Sequence, residues 1–363
     1  MKKLSFVNKI IYFLNLLAAL ALVFTYFSPY ADPVKYPVFA LLGLSYLHIL
    51  LINLLFILYW IVISKNQFLL SLLIILLGFQ PFMRNIVFFK KNNLESENVM
   101  KVMTYNVRNF DLYNWKDNKN ARDNMMNFIK EQNPDIINFQ EFYSQEESEL
   151  HNIKRLVNDL EFPYYYFEKT VTVDDTKHWG LATFSKYPIL QKNRIKFDNS
   201  STNMVTYCDV EVKGQVFRIF NAHLQSIHFQ NADYKFFDDI NKEKKPDIES
   251  SRHIISKLIA AFKKRSLQAN KFKEIINKSI YPVIVTGDFN DTPNSYVYKT
   301  ISRGIKDAFV MAGAGIGNTY KGPLPALLRI DYIFTDKKFN VKNCHVIPGA
   351  NSDHYPVWAE VGW

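Results

Sequence analysis

Cysteine is nearly absent from this chain: Cys208 and Cys344 are the two it has in 363 residues. Two thiols provide no disulfide framework; whether they pair or stay as two buried thiols, they leave the redox compartment open. No dense Cys/His cluster occurs to suggest zinc. Internal repeats and low-complexity tracts are lacking too, which sets aside solenoid and fibrous architectures. Charge is missing from long stretches near the start. Residues 10–27, 38–63 and 68–82 are nearly free of it, and the first two runs have roughly the 20 residues a helix needs to cross a bilayer.

Three transmembrane helices are therefore expected within residues 1–91. Pro81 and Arg84 interrupt the third, which reaches on through 86–89 with Lys90 and Lys91 as its stop. A cleavable signal peptide would need a small-residue cleavage site after the first run, and none follows. Burial in a soluble core would need amphipathic segments around the runs, and these are lacking as well. His48 and Asn53 are the strongly polar groups at membrane depth and read as helix-packing residues. Lys2, Lys3 and Lys9 precede the first run, whereas the next loop offers Lys35 beside Asp32. This bias puts the N-terminus in the cytoplasm, and three crossings then put everything after about Asn92 on the outer side of the cytoplasmic membrane. Lys90 and Lys91 oppose that orientation weakly, and two crossings would reverse it.

The net charge of +10 has a local origin. Residues 1–91 hold eight Lys/Arg and one Asp, leaving 36 basic against 33 acidic residues in the remainder, a net of +3. A nucleic-acid binder would show a basic face on its soluble part, and the run Lys263-Lys264-Arg265 reads as a solvated helix face instead.

After a polar linker, 92–98, short β-branched and apolar runs alternate with longer helical patterns across 99–363. Strands are expected at 99–105, 136–139, 164–167, 181–185, 206–212, 217–222, 283–286, 332–335 and 357–361. Helices are expected at 120–132, 145–159 and 248–277, with a shorter one after Pro293. Many short strands with helices between some of them imply two sheets packed face to face under helices, an α/β sandwich.

Polar motifs sit at the ends of several of these runs: Asn106 in TYNVRNF, Glu141 in INFQEF, His223 in FNAHL, Asp288 and Asn290 in VTGDFND, Asp331 in RIDYIF, and Asp353-His354 in SDHYPV. Loops at strand ends collect into shared pockets. Taken singly, Asn106, Asn290 and Asp288 read as turn residues, His223 as a satisfied partly buried histidine, Glu141 as a helix cap and Asp331 as the ion-pair partner of Arg329. Taken together they are the parts of a metal-dependent phosphoester hydrolase. Glu141 and Asn106 are hard oxygen ligands suited to Mg²⁺ or Mn²⁺, and Asp353 is a further carboxylate able to hold a metal. His354 is a general base, with Asp331 to orient its ring. Asp288 holds or polarises the nucleophile, while Asn290 and His223 donate to phosphate oxygens as charge develops.

With TYNVRNF, QE, GLATFSKYPI, NAHL, GDFND, RIDYIF and SDHYPV in this order, the chain from Val99 to Val361 resembles the endonuclease/exonuclease/phosphatase superfamily. That group includes DNase I-like nucleases, apurinic endonucleases, inositol polyphosphate 5-phosphatases and neutral sphingomyelinases. The resemblance implies a four-layer α/β/β/α sandwich, here preceded by a membrane region, with Asn106 and Glu141 at a divalent metal. It further implies Asp288, Asn290 and His223 around the scissile phosphate, and an Asp331-His354 pair with Asp353 beside it. One departure weakens the nuclease reading: some nuclease members place a tyrosine shortly before the glycine equivalent to Gly180, where this chain has Asp174-Asp175-Thr176-Lys177-His178-Trp179. Lys177 and His178 are candidates for its phosphate contact. Arg265 and Gln268 fall in a helix pattern common in the family and are candidate structural residues.

Phe229, Tyr234, Phe236 and Phe237, ahead of Lys242 to Lys245, suit a membrane interface, a substrate clamp or a partner surface, or simply cover the helix behind them. The leading expectation is a membrane-tethered Mg²⁺-dependent phosphoesterase acting on a membrane-associated phosphorylated substrate. A surface nuclease and a non-catalytic phospho-ligand binder are the alternatives.

Overall fold

The computed structural model describes residues 4–88, 96–114, 120–197, 202–227, 229–242, 247–322, 327–349 and 351–363. Lys90, Lys91, linker residues 92–95, Lys244 and Lys245 lie outside them. Two compact units result: Met1–Ile86 with Phe229–Ser266 and Asp291–Thr300, and Val87–His228 with Leu267–Asn290 and Ile301–Trp363.

The first unit opens with α1 (Phe6–Thr25), α2 (Pro37–Leu44), α3 (Tyr46–Val62), α4 (Phe68–Leu77) and α5 (Phe79–Asn85). Ser5 caps α1 by accepting the Asn8 amide, and α1 is long and apolar enough to cross a membrane. The second and third apolar runs, expected as single helices, are each a bent pair: α2 and α3 meet at 58°, α4 and α5 at 77°. Ser45 sits at the first break and returns its hydroxyl to the Leu41 carbonyl, 3.1 Å away. Gly78 forms the second, and Pro81 then falls in the first turn of α5, where its missing N–H costs no helix bond.

Asn15, Asn53, Trp60 and Ser71 are enclosed in this unit. Asn15 Nδ2 donates to Ser71 Oγ (2.7 Å), Ser71 Oγ to Asn53 Oδ1 (2.9 Å) and Trp60 Nε1 to Asn15 Oδ1 (3.0 Å). These bonds fix α1, α3 and α4 in one register, because any sliding would strand polar atoms in an apolar interior. Asn53 therefore packs helices as expected, and His48 lies on α3 with an exposed surface.

The same unit contains α8 (Asn231–Asn241), the first part of α9 (Ile248–Asn277) and most of α10 (Tyr296–Ile301). The aromatic stretch folds on itself: the Phe229 ring lies 5.1 Å from Phe237 and 6.3 Å from Tyr234. Arg265 pairs with Asp291 at 3.4 Å, both buried, a structural role.

In the second unit, β1 (Val99–Asn106), β2 (Ile136–Gln145), β3 (Tyr164–Val173), β4 (Lys177–Ser185), β11 (Asn340–Val346) and β12 (Val357–Gly362) form one sheet in the order β11-β12-β1-β2-β4-β3. The other sheet runs β5-β6-β7-β8-β10-β9, from β5 (Ile189–Lys196), β6 (Met204–Val212), β7 (Gln215–His223), β8 (Val283–Asp288), β9 (Ile305–Asp307) and β10 (Asp331–Asp336). The first sheet carries α6 (Ala121–Gln132) and α7 (Asn152–Asn158) on its outer face. Ala121, Met125 and Ile129, one helical turn apart, give α6 its buried stripe. On the second sheet, Phe272 of α9 packs on Phe220 of β7 at 5.4 Å. The result is the expected four-layer α/β/β/α sandwich. Helix 145–159 is shorter than expected, since β2 runs on to Gln145 and α7 begins at Asn152. Cys208 and Cys344 are buried, unpaired thiols in the inter-sheet core.

The inner faces of the two sheets change character along the strands. At one end Met100, Val102, Ile136, Ile219 and Ile284 interdigitate in the apolar core. Next comes a belt of buried Thr104, Asn138, Gln140, Thr183, Asn221 and Thr286. Gln140 Nε2 bridges Thr104 Oγ1 (3.0 Å) and Asn221 Oδ1 (2.7 Å), and Asn138 Nδ2 donates to Thr286 Oγ1 at 2.8 Å. Strand side chains alternate between faces, so Asn106, His223 and Asp288, each two residues past a belt residue, reach the same inter-sheet space at its open end.

Candidate active site

Strand register assembles the site. In the second sheet Asp288 lies opposite His223 of parallel β7 and opposite Asp331 of antiparallel β10, so three polar side chains stand abreast on adjacent strands. Gly287 makes this pairing possible: at φ 133° its missing Cβ would fall 2.0 Å from the Ala222 carbonyl oxygen. In the first sheet Asn106 pairs with Gln140, and the ladder slips between Phe139 and Phe142. Glu141 occupies that bulge with φ 49°, a conformation that turns its side chain out of the pleat and toward the second sheet.

His354 follows Asp353 just before β12. Its Nδ1 lies 3.0 Å from Asp331 Oδ2 and 3.2 Å from Oδ1, while Nε2 points toward Asp288 Oδ2 at 3.7 Å. Thr319 Oγ1 accepts the Ile330 and Asp331 amides (2.9 and 3.1 Å), and the Tyr320 ring packs against His354 at 4.8 Å, tilted by 53°. Asn106 Nδ2 donates to Asp288 Oδ2 (3.0 Å) and to Glu141 Oε1 (3.4 Å). His223 Nε2 lies 3.8 Å from both carboxylates. Asn290, also left-handed at φ 53°, donates its amide to Asp288 Oδ1 (2.8 Å) and its Nδ2 to Leu224 O (3.1 Å). Asp353 turns toward Arg108 Nε at 3.6 Å, and Ser352 Oγ ties this turn to the Asn106 carbonyl at 2.8 Å. Seven of the eight residues singled out above thus form one contact network, and Asp353 adjoins it through Ser352.

Residues 103–354 match the Endonuclease/Exonuclease/phosphatase family. The chain belongs to this family. Its members hydrolyse phosphoesters, and the chain is a hydrolase of that kind. Residues 8–85 match a second family, described as Domain of unknown function (DUF8431). No curated protein matches the chain. Among solved structures, an endonuclease/exonuclease/phosphatase family protein from Leptotrichia buccalis C-1013-b shares 18% identity over 73% of this chain and 100% of its own, at a TM-score of 0.51. A family protein from Bacteroides thetaiotaomicron shares 20% over 74% and 98%, also at 0.51. The human Nocturnin catalytic domain with bound sulfate shares 16% over 75% and 97%, at 0.52. These likenesses establish the shared fold.

In this family member the electrostatics of the site are set by burial and by carboxylate crowding. Burial by itself would lower the His354 pKa, but the Asp331 and Asp288 carboxylates outweigh it and push the ring up to about 10. Burial raises Asp288 to about 6, with His354 opposing and Asp331 adding to the rise. The Glu141 side chain, 35% exposed, opens onto a cleft, while the protein crowding its other sides raises its carboxyl.

That cleft has a volume of about 440 Å³ and is lined by Glu141, His223, Trp179 and Leu181 among others. Lys177 and His178 turn elsewhere. Lys177 Nζ pairs with Asp174 at 2.6 Å, and His178 Nε2 contacts Glu146 (3.0 Å) and Lys169 (2.9 Å). Gln268 Oε1 accepts the Gln225 amide at 2.9 Å, propping the loop after His223.

Sequence reasoning missed the hydrogen-bonded belt behind the site. A signal for it existed: Thr104, Asn221 and Thr286 each precede a site residue by two. Asn221 donates to the Phe139 and Ala182 carbonyls (3.0 and 3.1 Å) and accepts from Gln140. Asn221→Ala leaves these groups buried without partners and is expected to destabilise the second unit by about 2–4 kcal/mol. Chemical denaturation of the full-length protein in detergent measures it, and a midpoint equal to wild type would contradict the role.

Proposed function

We propose that the chain is a membrane-tethered, divalent-metal-dependent phosphoester hydrolase in which His354 removes the proton of the attacking water. Residues 1–91 are the membrane region, 92–98 a linker and 99–363 the catalytic domain, and the Lys bias at the N-terminus favours placing that domain on the outer side of the cytoplasmic membrane. The observation that carries the reading is the His354 ring held through Nδ1 by Asp331 with Nε2 directed at Asp288 beside Glu141, the orientation a general base requires.

The donor set fits a hard cation. Asp288, Asp331 and His354 approach within 4.8 Å of one another, but all three are buried, and the two ring nitrogens of His354 are directed at the two carboxylates. Glu141 opens onto the cleft, where a cation keeps positions free for phosphate. We therefore assign Mg²⁺ or Mn²⁺ to Glu141 and Asn106, which would hold the cation together with the Asp353 carboxylate. When bound, such a cation withdraws charge from the phosphoryl group as a Lewis acid. Asp288 accepts a hydrogen bond from the attacking water and aligns it. His354 takes the water's proton, and Asp331 stabilises the imidazolium. His223 and Asn290 donate toward phosphate oxygens as negative charge builds.

Because His354 must enter the cycle neutral, turnover rises with pH through the pKa of its ring. Asp331 helps to hold that pKa up, so Asp331→Asn is expected to shift the rising limb to lower pH while lowering the plateau. Phosphate or headgroup release by the full-length protein in detergent with Mg²⁺ provides the measurement, with phospholipids and plasmid DNA compared as substrates. Cleavage of DNA alone would replace a membrane-associated phosphorylated substrate with nucleic acid and make the protein a surface nuclease, and an unmoved limb in Asp331→Asn would remove His354 as the base.

A further inference from the structure

We infer that the cleft beside Glu141 and His223 receives an apolar group esterified to the scissile phosphate, so that the substrate is a phosphoester of a lipid-like alcohol. This rests on the hydrolase reading above and specifies its substrate class. Glu141 and His223 belong to the cleft wall, so whatever fills the cleft is adjacent to the reacting phosphate.

The rest of the wall is uncharged. Tyr113, Val171, Val173, Trp179 and Leu181 provide its apolar part, and threonine, serine and asparagine side chains the remainder. Among the described lining residues there is no lysine or arginine. Nearby cations face other carboxylates of the protein: Arg108 with Asp111, Lys169 with Glu146, and Lys177 with Asp174. A polynucleotide would bring further phosphates past this wall and find no counter-charge, whereas binding of phosphate backbones depends on such charges. An apolar chain would find surface to cover. Tyr113 is 75% exposed, Val173 42% and Val171 39%, a contiguous apolar surface of the kind that marks a binding groove.

Two irregular backbone segments place these side chains. Residues 108–111 hold φ between 45° and 57°, a left-handed turn that L residues rarely adopt and that delivers Asn109 and Tyr113 to the cleft. On the edge strand, β3 bulges between Lys169 and Val171 against Gly180. A Cβ at Gly180 would lie 1.9 Å from the Glu168 carbonyl oxygen, so glycine admits the bulge that presents Thr170 and Val171 to the cleft.

The test uses the full-length protein in a fixed concentration of detergent with Mg²⁺. Substrates are methyl, butyl and octyl 4-nitrophenyl phosphate, read by nitrophenol release, and the matching alkyl phosphates, read by inorganic phosphate. The kcat/KM is expected to rise about fourfold per buried methylene, mainly through KM, until the cleft is full. Val171→Asp, on the exposed edge strand, and Trp179→Ala are expected to reduce the octyl-to-methyl ratio at least tenfold. That ratio is independent of the fraction of folded enzyme. A flat or falling chain-length series alongside hydrolysis of the methyl esters, or an unchanged ratio in both variants, overturns the apolar subsite and leaves the hydrolase reading standing. Hydrolysis of none of the esters overturns both.

Discussion

Replacing His354 with glutamine is expected to lower kcat on any phosphoester the wild-type protein turns over by about 10³-fold, within the range general bases supply. The side chain is nearly the same size, so packing against Tyr320 persists. What disappears is a group able to accept a proton at Nε2 while Asp331 steadies Nδ1. A second readout separates this role from a structural one. Burial would lower the ring's pKa, but the Asp331 and Asp288 carboxylates raise it from its ordinary 6.5 to about 10. A raised folded-state pKa contributes stability that is fully present below the unfolded value and is lost as pH rises through the folded value. Wild type should therefore exceed His354→Gln in thermal stability at pH 6, and the gap should close between about pH 6.5 and pH 10, the window set by those two pKa values. Thermal unfolding without divalent cation across that range measures it. A gap that stays constant with pH would mean the imidazolium is not what the carboxylates stabilise, and a variant with wild-type kcat would end the base assignment outright.

The sequence revealed His354 because its motif is compact and its neighbours fall at strand ends. All nine expected strands are present, since runs such as 283–286 and 217–222 are short, β-branched and bounded by polar turns. Harder to see were elements whose burial is one-sided or shared. β11, with the sequence NVKNCHV, buries only Val341 and Cys344, and β5 is largely polar on an exposed face. The expected helix begins at Gln145, yet the sheet extends β2 to Gln145 because cross-strand pairing with β4 continues past the bulge, and α7 starts at Asn152. That bulge was itself invisible: nothing in the residue types of Gln140-Glu141 signals an inserted position. Nor could Trp179 and Val171 be assigned to the cleft, since their placement follows from a slip in β3 pairing. The membrane runs were legible as composition, but their bends at Ser45 and Gly78 depend on local hydrogen bonding.

Glu141→Gln is expected to abolish most turnover and, without cation, to leave the protein more stable than wild type. Both effects follow from a carboxylate placed where the fold does not favour charge. Burial raises the Glu141 carboxyl pKa, with Asp353 adding to the rise and His354 opposing it. A group whose folded pKa lies above its unfolded value destabilises the fold once pH exceeds the unfolded value, so a neutral isostere relieves that penalty at pH 7. The bulge, the φ of 49° and the proximity of Asn106 are shared by either residue, leaving the charge as the difference. If Glu141 is the principal ligand of the cation, its removal takes several kcal/mol of transition-state stabilisation with it, about 10²–10⁴-fold in kcat/KM. Calorimetric titration with Mg²⁺ and Mn²⁺ should show binding weakened by at least about tenfold in the variant, and added cation should stabilise wild type but not Glu141→Gln. Undiminished cation affinity with lost turnover would move the metal toward the Asp288-Asp331-His354 cluster, whereas a less stable variant would show that Glu141 is held by the fold and not strained by it. A site that sacrifices stability at the position where it needs charge is what selection for chemistry, and not for packing, leaves behind.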